Sequence, residues 1–261
     1  LGRTLTEWSG GRLAGLAARM VSLLALLAIW EVAARLASGP LLPSPAAVLA
    51  FIVAETRRGD LIANIAITLW RVAGAFAVAM LIGSAIGIVL GRWRRANAAF
   101  DVWLLVLLNM PALVIAVLCY IWLGLTEAAA VTAVALNKIP NVIVVLREGT
   151  RALDRDLEEM AHVYRFPAGT WLRHVLMPQL APYVAAAARS GLALVWKIVL
   201  VVELLGRSSG VGYAISLYFQ LSDVTAVLGY ALAFTSVMLA IEFLVLQPLE
   251  KHARRWRPAL A

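Results

Sequence analysis

The chain has 261 residues, 62% of them hydrophobic, with a mean hydropathy of +0.86; soluble domains are nearer half apolar, so this composition excludes an ordinary soluble globule. The net charge is +8, yet no basic stripe interleaved with aromatics occurs, which excludes nucleic acid as a partner. A single Cys119 excludes an intrachain disulfide, and His162, His174 and His252 are too scattered to hold a metal.

Several runs approach the ~20 apolar residues needed to cross a bilayer core. The first covers Ala18 to Ala37; it lacks a small-x-small cleavage site and more spans follow, so it reads as a membrane helix and not as a removable signal. Because the chain begins at Leu1 and not at Met, a few residues are expected to precede it. The segment "GPLLPSPAAVLAFIVAETRRGD" follows, a Pro/Ser loop and then a short helix expected to lie at the membrane interface. The remaining spans are Ala66 to Leu90, Val102 to Leu123, Ala128 to Leu146, Pro182 to Leu205 and Ala226 to Pro248. All six are expected to be helices, since an isolated segment in lipid must satisfy its own backbone. The fold class is therefore all-α: a six-helix membrane domain over 18–250, with an N-terminal segment over 1–17 and a tail over 251–261.

Six spans put Arg3, Arg12 and Arg19, then Arg92, Arg94 and Arg95, then Arg147, Arg151, Arg155, Arg165 and Arg173, then Lys251, Arg254, Arg255 and Arg257 on one side. The positive-inside rule makes that side the cytoplasm, with both termini and the loop 149–180. Gly83, Gly87 and Gly91 recur every fourth position of the second span, a face for close helix packing. There is no internal repeat, and no inverted pair of broken helices of the kind secondary transporters carry.

The loop 149–180 is too polar for lipid. Asp154 or Asp156 caps a helix, with Glu158 and Glu159 in its first turn, where the dipole favours acids. Phe166-Pro167 ends it, Gly169 permits a turn, and a second short helix over Thr170 to Leu176 leads to Met177-Pro178. Met160, Val163, Tyr164 and Phe166 give this elbow an apolar, aromatic tip with charged flanks. Such a tip suits docking of a partner; the other reading is that it packs on its own bundle.

In these residues the elbow resembles the Glu-Ala-Ala loop of ATP-binding cassette importer permeases, the binding-protein-dependent transport inner-membrane component. Glu159, Met160 and Ala161 stand at the Glu-Ala-Ala positions, and Val175, Met177 and Pro178 at the closing apolar, Leu and Pro positions. Met160 replaces the first Ala, and Arg165 occupies the Gly position, with Gly169 four residues late. The turn is therefore expected one helical turn further on, after a longer helix. The strings "TLWRVAGAFAVAMLIGSAIGIVLG", "IWLGLTE", "WKIVLVVELLGRSSGVGYAI" and "LEKHARRWRP" are similar to the nitrate/sulfonate/bicarbonate (taurine-type) branch, so the likeness covers nearly the whole chain.

The resemblance implies an inner-membrane, multi-pass homodimer working with two cytoplasmic ATPase subunits and a periplasmic substrate-binding protein. It assigns ATPase coupling to Glu158, Glu159, Met160, Ala161, His162, Val163, Tyr164, Arg165, Phe166, Gly169 and Pro178. The cargo classes of the branch are small anions (nitrate, bicarbonate, sulfonates, taurine) and some vitamin precursors. No cofactor is expected in this chain; ATP–Mg is expected on the ATPases. Neither a phosphate-loop spacing nor a catalytic constellation is present, "GRSSGVG" over Gly206 to Gly212 reading as a tight outer loop, so the chain is expected not to be an enzyme.

Charges at membrane depth usually face a cavity or a partner. Glu31 and Arg35, four apart, are expected to pair. Asn109, just before Pro111, is placed to break the third span. Asn137, Lys138, Trp196, Lys197 and Glu203, with Asn109, are candidates for the lining of a translocation path. Against this, Lys197 could snorkel or meet an acid on a neighbouring helix, and Asn137 could bond between helices. A stand-alone secondary transporter or channel, and a membrane scaffold, are the competing classes.

Overall fold

The computed structural model describes residues 6–37, 39 and 41–248; the tail 251–261, with His252, lies outside them. In order, the helices are α1 (Thr6–Ala37), α2 (Pro45–Arg58), α3 (Asp60–Arg92), α4 (Arg94–Asn109), α5 (Ala112–Leu123), α6 (Glu127–Arg151), α7 (Arg155–Val163), α8 (Ala168–Trp171), α9 (Met177–Gly206), α10 (Val211–Gln220) and α11 (Val224–Ile241). The described residues contain no strand. Five stretches are long and apolar enough to span a bilayer: Met20–Ala37, Asp60–Arg92, Glu127–Arg151, Ala168–Gly206 and Val224–Val245. The pair α4 and α5 makes a sixth if counted as one span.

That pair carries the break expected at Asn109 in the third span, but begins at Arg94, ahead of the expected Val102. The two halves meet at 98°. The cause is Pro111, which has no N–H and pushes the residue before it out of helical geometry; Met110 is extended at φ −72, ψ 128. Asn109 sits at the break and turns its amide back to the Leu105 carbonyl at 2.8 Å.

The bundle centres on α3, α6 and α9. One core joins Val72 and Ala75 of α3, Ala116 and Cys119 of α5, Ala133 of α6 and Val195 and Val199 of α9. The glycine stripe of α3 faces α6 at a distance no larger residue tolerates. A Cβ on Gly83 would lie 2.6 Å from Val142 Cβ, and one on Gly87 would lie 2.8 Å from the Ile143 carbonyl oxygen. Backbones meet closely in lipid where small residues let dispersion contacts form along the whole crossing.

The helix α2, expected at the membrane interface, packs against the bundle through one face. Ser44 caps it, accepting from Ala47 N at 3.2 Å, and Gly59 at φ 91 turns the chain straight into α3. Phe51 packs edge-on to Tyr218 at 5.7 Å and fills the space that Gly229 leaves on α11. Buried Glu55 accepts from the Tyr230 hydroxyl at 3.0 Å and from the Tyr218 hydroxyl at 3.3 Å. Burial, and after it the Glu55 carboxylate, raise the Tyr218 phenol above its ordinary pKa. The helix α10, unforeseen in the sequence, fills the corner between α9 and α11 through Val211 and Ala214.

The second elbow helix is not a separate element. From Ala168 the chain stays helical to Gly206, passing through a π segment at Leu172–Leu176. Pro178 cannot donate a hydrogen bond, and a local widening of the helix absorbs such a gap; Met177 N–H bonds the Leu172 carbonyl five residues back. The predicted stop at Met177-Pro178 is thus a bulge inside one long helix.

Candidate functional site

The elbow is built from its caps. Asp154 begins α7, its side chain accepting from Asp156 N at 2.9 Å, with Asp156 and Glu158 in the first turn. The C-terminal end closes earlier than expected. Phe166 N–H bonds the Ala161 carbonyl and Arg165 N–H the His162 carbonyl, both at 3.0 Å. These are the two bonds of a Schellman cap, and its left-handed residue is Arg165 at φ 49. Arg165 therefore adopts the conformation that Gly would supply without strain. Gly169 has no turn to make; it lies inside α8. The expectation of a longer helix turning at Gly169 is thereby corrected.

The cap leaves Val163 and Tyr164 74% and 72% exposed, with Met160 also uncovered, Phe166 half-buried and Ala161 buried. Glu159, His162, Gly169 and Pro178 are exposed as well. The base of the elbow is held from two sides. Glu158 forms an ion pair with Arg92 at the end of α3, and that guanidinium lies 4.5 Å over the Trp171 ring. Gln179 of α9 accepts from Asp154 N at 2.8 Å. Leu153, Trp171 and Leu176 pack on Leu146 and Leu180. A short helix with an uncovered apolar tip is thus fixed to both α3 and α9.

The mid-span candidates separate. Lys138 of α6 is 1% exposed and packs against Gly191 of α9, where a Cβ would lie 2.2 Å from Lys138 Cε. Its ammonium has no hydrogen bond or ion pair among the described residues. Asn137 donates to the Ala133 carbonyl of its own helix at 2.8 Å. Lys197 is exposed, its ammonium 5.7 Å from the centre of the Trp196 ring, and Trp196 packs edge-on to Phe234. Six residues separate Gly191 from Lys197, which puts them roughly 120° apart around α9. The two lysines therefore do not share a face. Glu31 and Arg35 pair at 2.7 Å as expected.

Glu203 belongs to a network the sequence did not disclose, at the end of the bundle away from the elbow. Arg71, 2% exposed, uses every N–H it has. Nε and Nη2 grip Glu127 at 2.8 and 2.7 Å, Nη1 donates to Glu203 at 2.6 Å and to the Ser209 carbonyl at 2.7 Å, and Nη2 reaches Ser209 Oγ at 2.9 Å. Glu203, 0% exposed, also accepts from Thr68 Oγ1 and Gly212 N, each at 2.9 Å. Arg207 closes the ring with an ion pair to Glu127. In this conformation Glu203 offers no oxygen to a passage. The signal that could have found the network is the lone Arg71 inside an apolar helix, which at that depth calls for acids on neighbouring helices.

An all-helical bundle with a bent span, a projecting helical elbow and unpaired or networked charges within its spans is the build of a membrane transport subunit. The chain belongs to the binding-protein-dependent transport system inner-membrane component family, whose model matches residues 79–257. It is 30% identical over 234 residues to the aliphatic sulfonates transport permease protein SsuC of Bacillus subtilis (strain 168), covering 89% of this chain and 84% of that one. It is 25% identical over 162 residues to the bicarbonate transport system permease protein CmpB of Synechococcus elongatus, covering 62% of this chain and 58% of that one. In fold it resembles a chain of the inward-facing MetNI methionine ABC transporter, with TM-score 0.65, 16% identity, and 77% of this chain and 99% of that one covered. The chain is thus an ABC importer permease, a transport subunit.

Two outcomes follow. Arg71→Met should destabilise the bundle by roughly 3–5 kcal/mol, since it strands a buried carboxylate; adding Glu203→Gln should recover part of that loss in thermal unfolding in detergent, whereas simple additivity would show the pair to be uncoupled. Arg165→Gly should relieve roughly 1 kcal/mol of left-handed strain, read as about fivefold slower hydrogen exchange in the last turn of α7; unchanged exchange would mean that the cap carries no strain.

Proposed function

We propose that two copies of this chain form the translocation path of an importer for a small anion of the sulfonate, taurine, nitrate or bicarbonate type. The elbow and both termini lie in the cytoplasm, where two ATPase subunits carrying ATP–Mg receive α7. A substrate-binding protein outside the membrane delivers the cargo. The observation that carries the reading is the exposed Val163–Tyr164 tip on a helix fastened to both α3 and α9. A short rigid piece held at both ends transmits displacement, and a packed bundle answers by switching between discrete packings. The basic groups gathered on the elbow side support the orientation. The names of the sulfonate and bicarbonate relatives support the cargo class.

Anion selectivity is assigned to Lys138. A buried cation with no carboxylate beside it favours an anion arriving next to it. Lys197 and Trp196 lie on a different face of α9 from the Lys138 contact, so in this reading they line another stretch of the path, with Asn109 and Asn137 at its broken and polar stretches.

The test is uptake and ATP hydrolysis in vesicles holding the full assembly with loaded binding protein. Val163→Asp with Tyr164→Asp should cut uptake at least tenfold while thermal stability holds, because a charged tip opposes docking of an apolar surface. Flux that persists without ATP would instead favour a stand-alone secondary transporter or channel. In the same vesicles Lys138→Met should abolish anion-stimulated uptake and leave the bundle as stable or more so, since Met fills the same space without a charge. Full uptake by that variant, or turnover driven by a neutral ligand alone, would sink the anion reading.

A further inference from the structure

A second polar site lies at the elbow end of the bundle, outside the path. The end of α3, the start of α4, the end of α6 and the start of α7 enclose a cleft of about 920 Å³ lined by Arg92, Arg94, Arg151, Arg155, Asn97 and Glu158. Four guanidinium groups thus face one carboxylate. Arg92 is spoken for by Glu158, and Arg151 by Glu148 at 3.1 Å. Arg94 and Arg155 have neither an ion pair nor a hydrogen bond among the described residues. Asn97 gives its side-chain oxygen to Arg147 Nη1 at 3.0 Å, which leaves its amide N–H groups to the cleft.

The local backbone adds to the excess of positive charge. The helix α4 starts at this cleft with no side-chain cap and no acid in its first turn, and Arg94 and Arg95 stand there instead. Like charge at the positive end of a helix is unfavourable until an anion arrives. The arrangement is also one-sided. Trp93 lines the cleft and is exposed, and Phe100, Val102, Trp103, Leu105 and Val106 are exposed further along α4 toward the bend. An exposed indole at the end of an apolar helix, as Trp93 is here, marks the headgroup level of a bilayer. A polar, arginine-lined cleft therefore opens where acyl chains would end.

We infer that this cleft binds the phosphate of an anionic phospholipid of the cytoplasmic leaflet, held by Arg94 and Arg155 with its chains along α4. Basic clefts between membrane helices on that side suit such headgroups, and the anionic leaflet adds attraction for each nearby basic residue. Arg155 opens α7, so the bound lipid ties the coupling helix to the end of α3 and the start of α4. Only the word cytoplasmic rests on the orientation proposed above. Binding is read without transport, so failure here is distinguishable from failure of the importer reading.

The experiment is lipid titration of the purified full chain in neutral detergent, followed by native mass spectrometry. The probes are phosphatidylglycerol, phosphatidylcholine and inorganic phosphate. Phosphatidylglycerol should bind about tenfold or more tightly than phosphatidylcholine, and R94Q/R155Q should remove about that factor. R57Q/R58Q, at the far end of α2, should leave it unchanged. Should the Gln pair fail to fold, R94K/R155K keeps both charges and should keep the lipid preference. Equal binding of the two lipids, equal loss in both Gln pairs, or displacement of the lipid by millimolar inorganic phosphate would each overturn the inference.

Discussion

A guanidinium withdrawn from water must find acceptors for five N–H groups, and this fold is arranged around one that does. Arg71 can be satisfied only if α6 brings Glu127, α9 brings Glu203 and the loop after α9 folds back to offer Ser209. That loop has no freedom left. Gly210 sits at φ 104, where a Cβ would lie 2.4 Å from Glu203 Oε1, and a Cβ on Gly212 would lie 2.3 Å from the Leu200 carbonyl. Asn64 of α3 holds Gly210 N at 2.8 Å and Thr68 holds Val211 N at 2.8 Å, so the start of α10 is fixed as well. Through α10 the constraint reaches α11 and then α2, whose Glu55 and Phe51 meet Tyr218 and Tyr230.

The two buried cations among the described residues are handled in opposite ways. Arg71 is neutralised by acids on two other helices. Lys138 is equally buried, packs against Gly191, and has no ion pair or hydrogen bond among the described residues. Desolvating an ammonium without compensation is costly, so the first arrangement is what structure alone would select. The second is understandable as a site whose compensation comes from what passes, which is why the cargo reading rests on Lys138 rather than on Glu203.

Much of this was legible in the sequence because it follows from local rules. Apolar length gave the spans, Asp154 gave the start of the elbow helix, and Pro111 marked the break in the third span. Gly and Pro at positions such as Gly169 and Pro178 commonly turn or end a helix, but here the chain makes its left-handed turn with Arg165 and absorbs Pro178 in a widened turn. Such choices depend on tertiary packing, and the π segment's Leu176 packs with Leu146 and Leu180, which no local motif reports. The acid partners of Arg71 lie 56 and 132 residues away, a distance over which no short motif reports. Lys197 is a candidate for the same lining, and helical phase puts it on a different face of α9 from the contact that Lys138 makes.

The unbroken run from Ala168 to Gly206 carries a mechanical implication. At 1.5 Å per residue it is a rod of roughly 58 Å, with Trp171 against the elbow at one end and Glu203 in the arginine clasp at the other. Twist or tilt imposed at the base cannot be dissipated in a loop, because the rod has none. The widened turn at Leu172–Leu176 and the interior Pro182 interrupt its hydrogen-bond ladder and form a joint set next to the elbow. Torque applied below that joint arrives at the clasp as rotation of the whole shaft, so the two extremities of the molecule are geared to each other by one covalent axle.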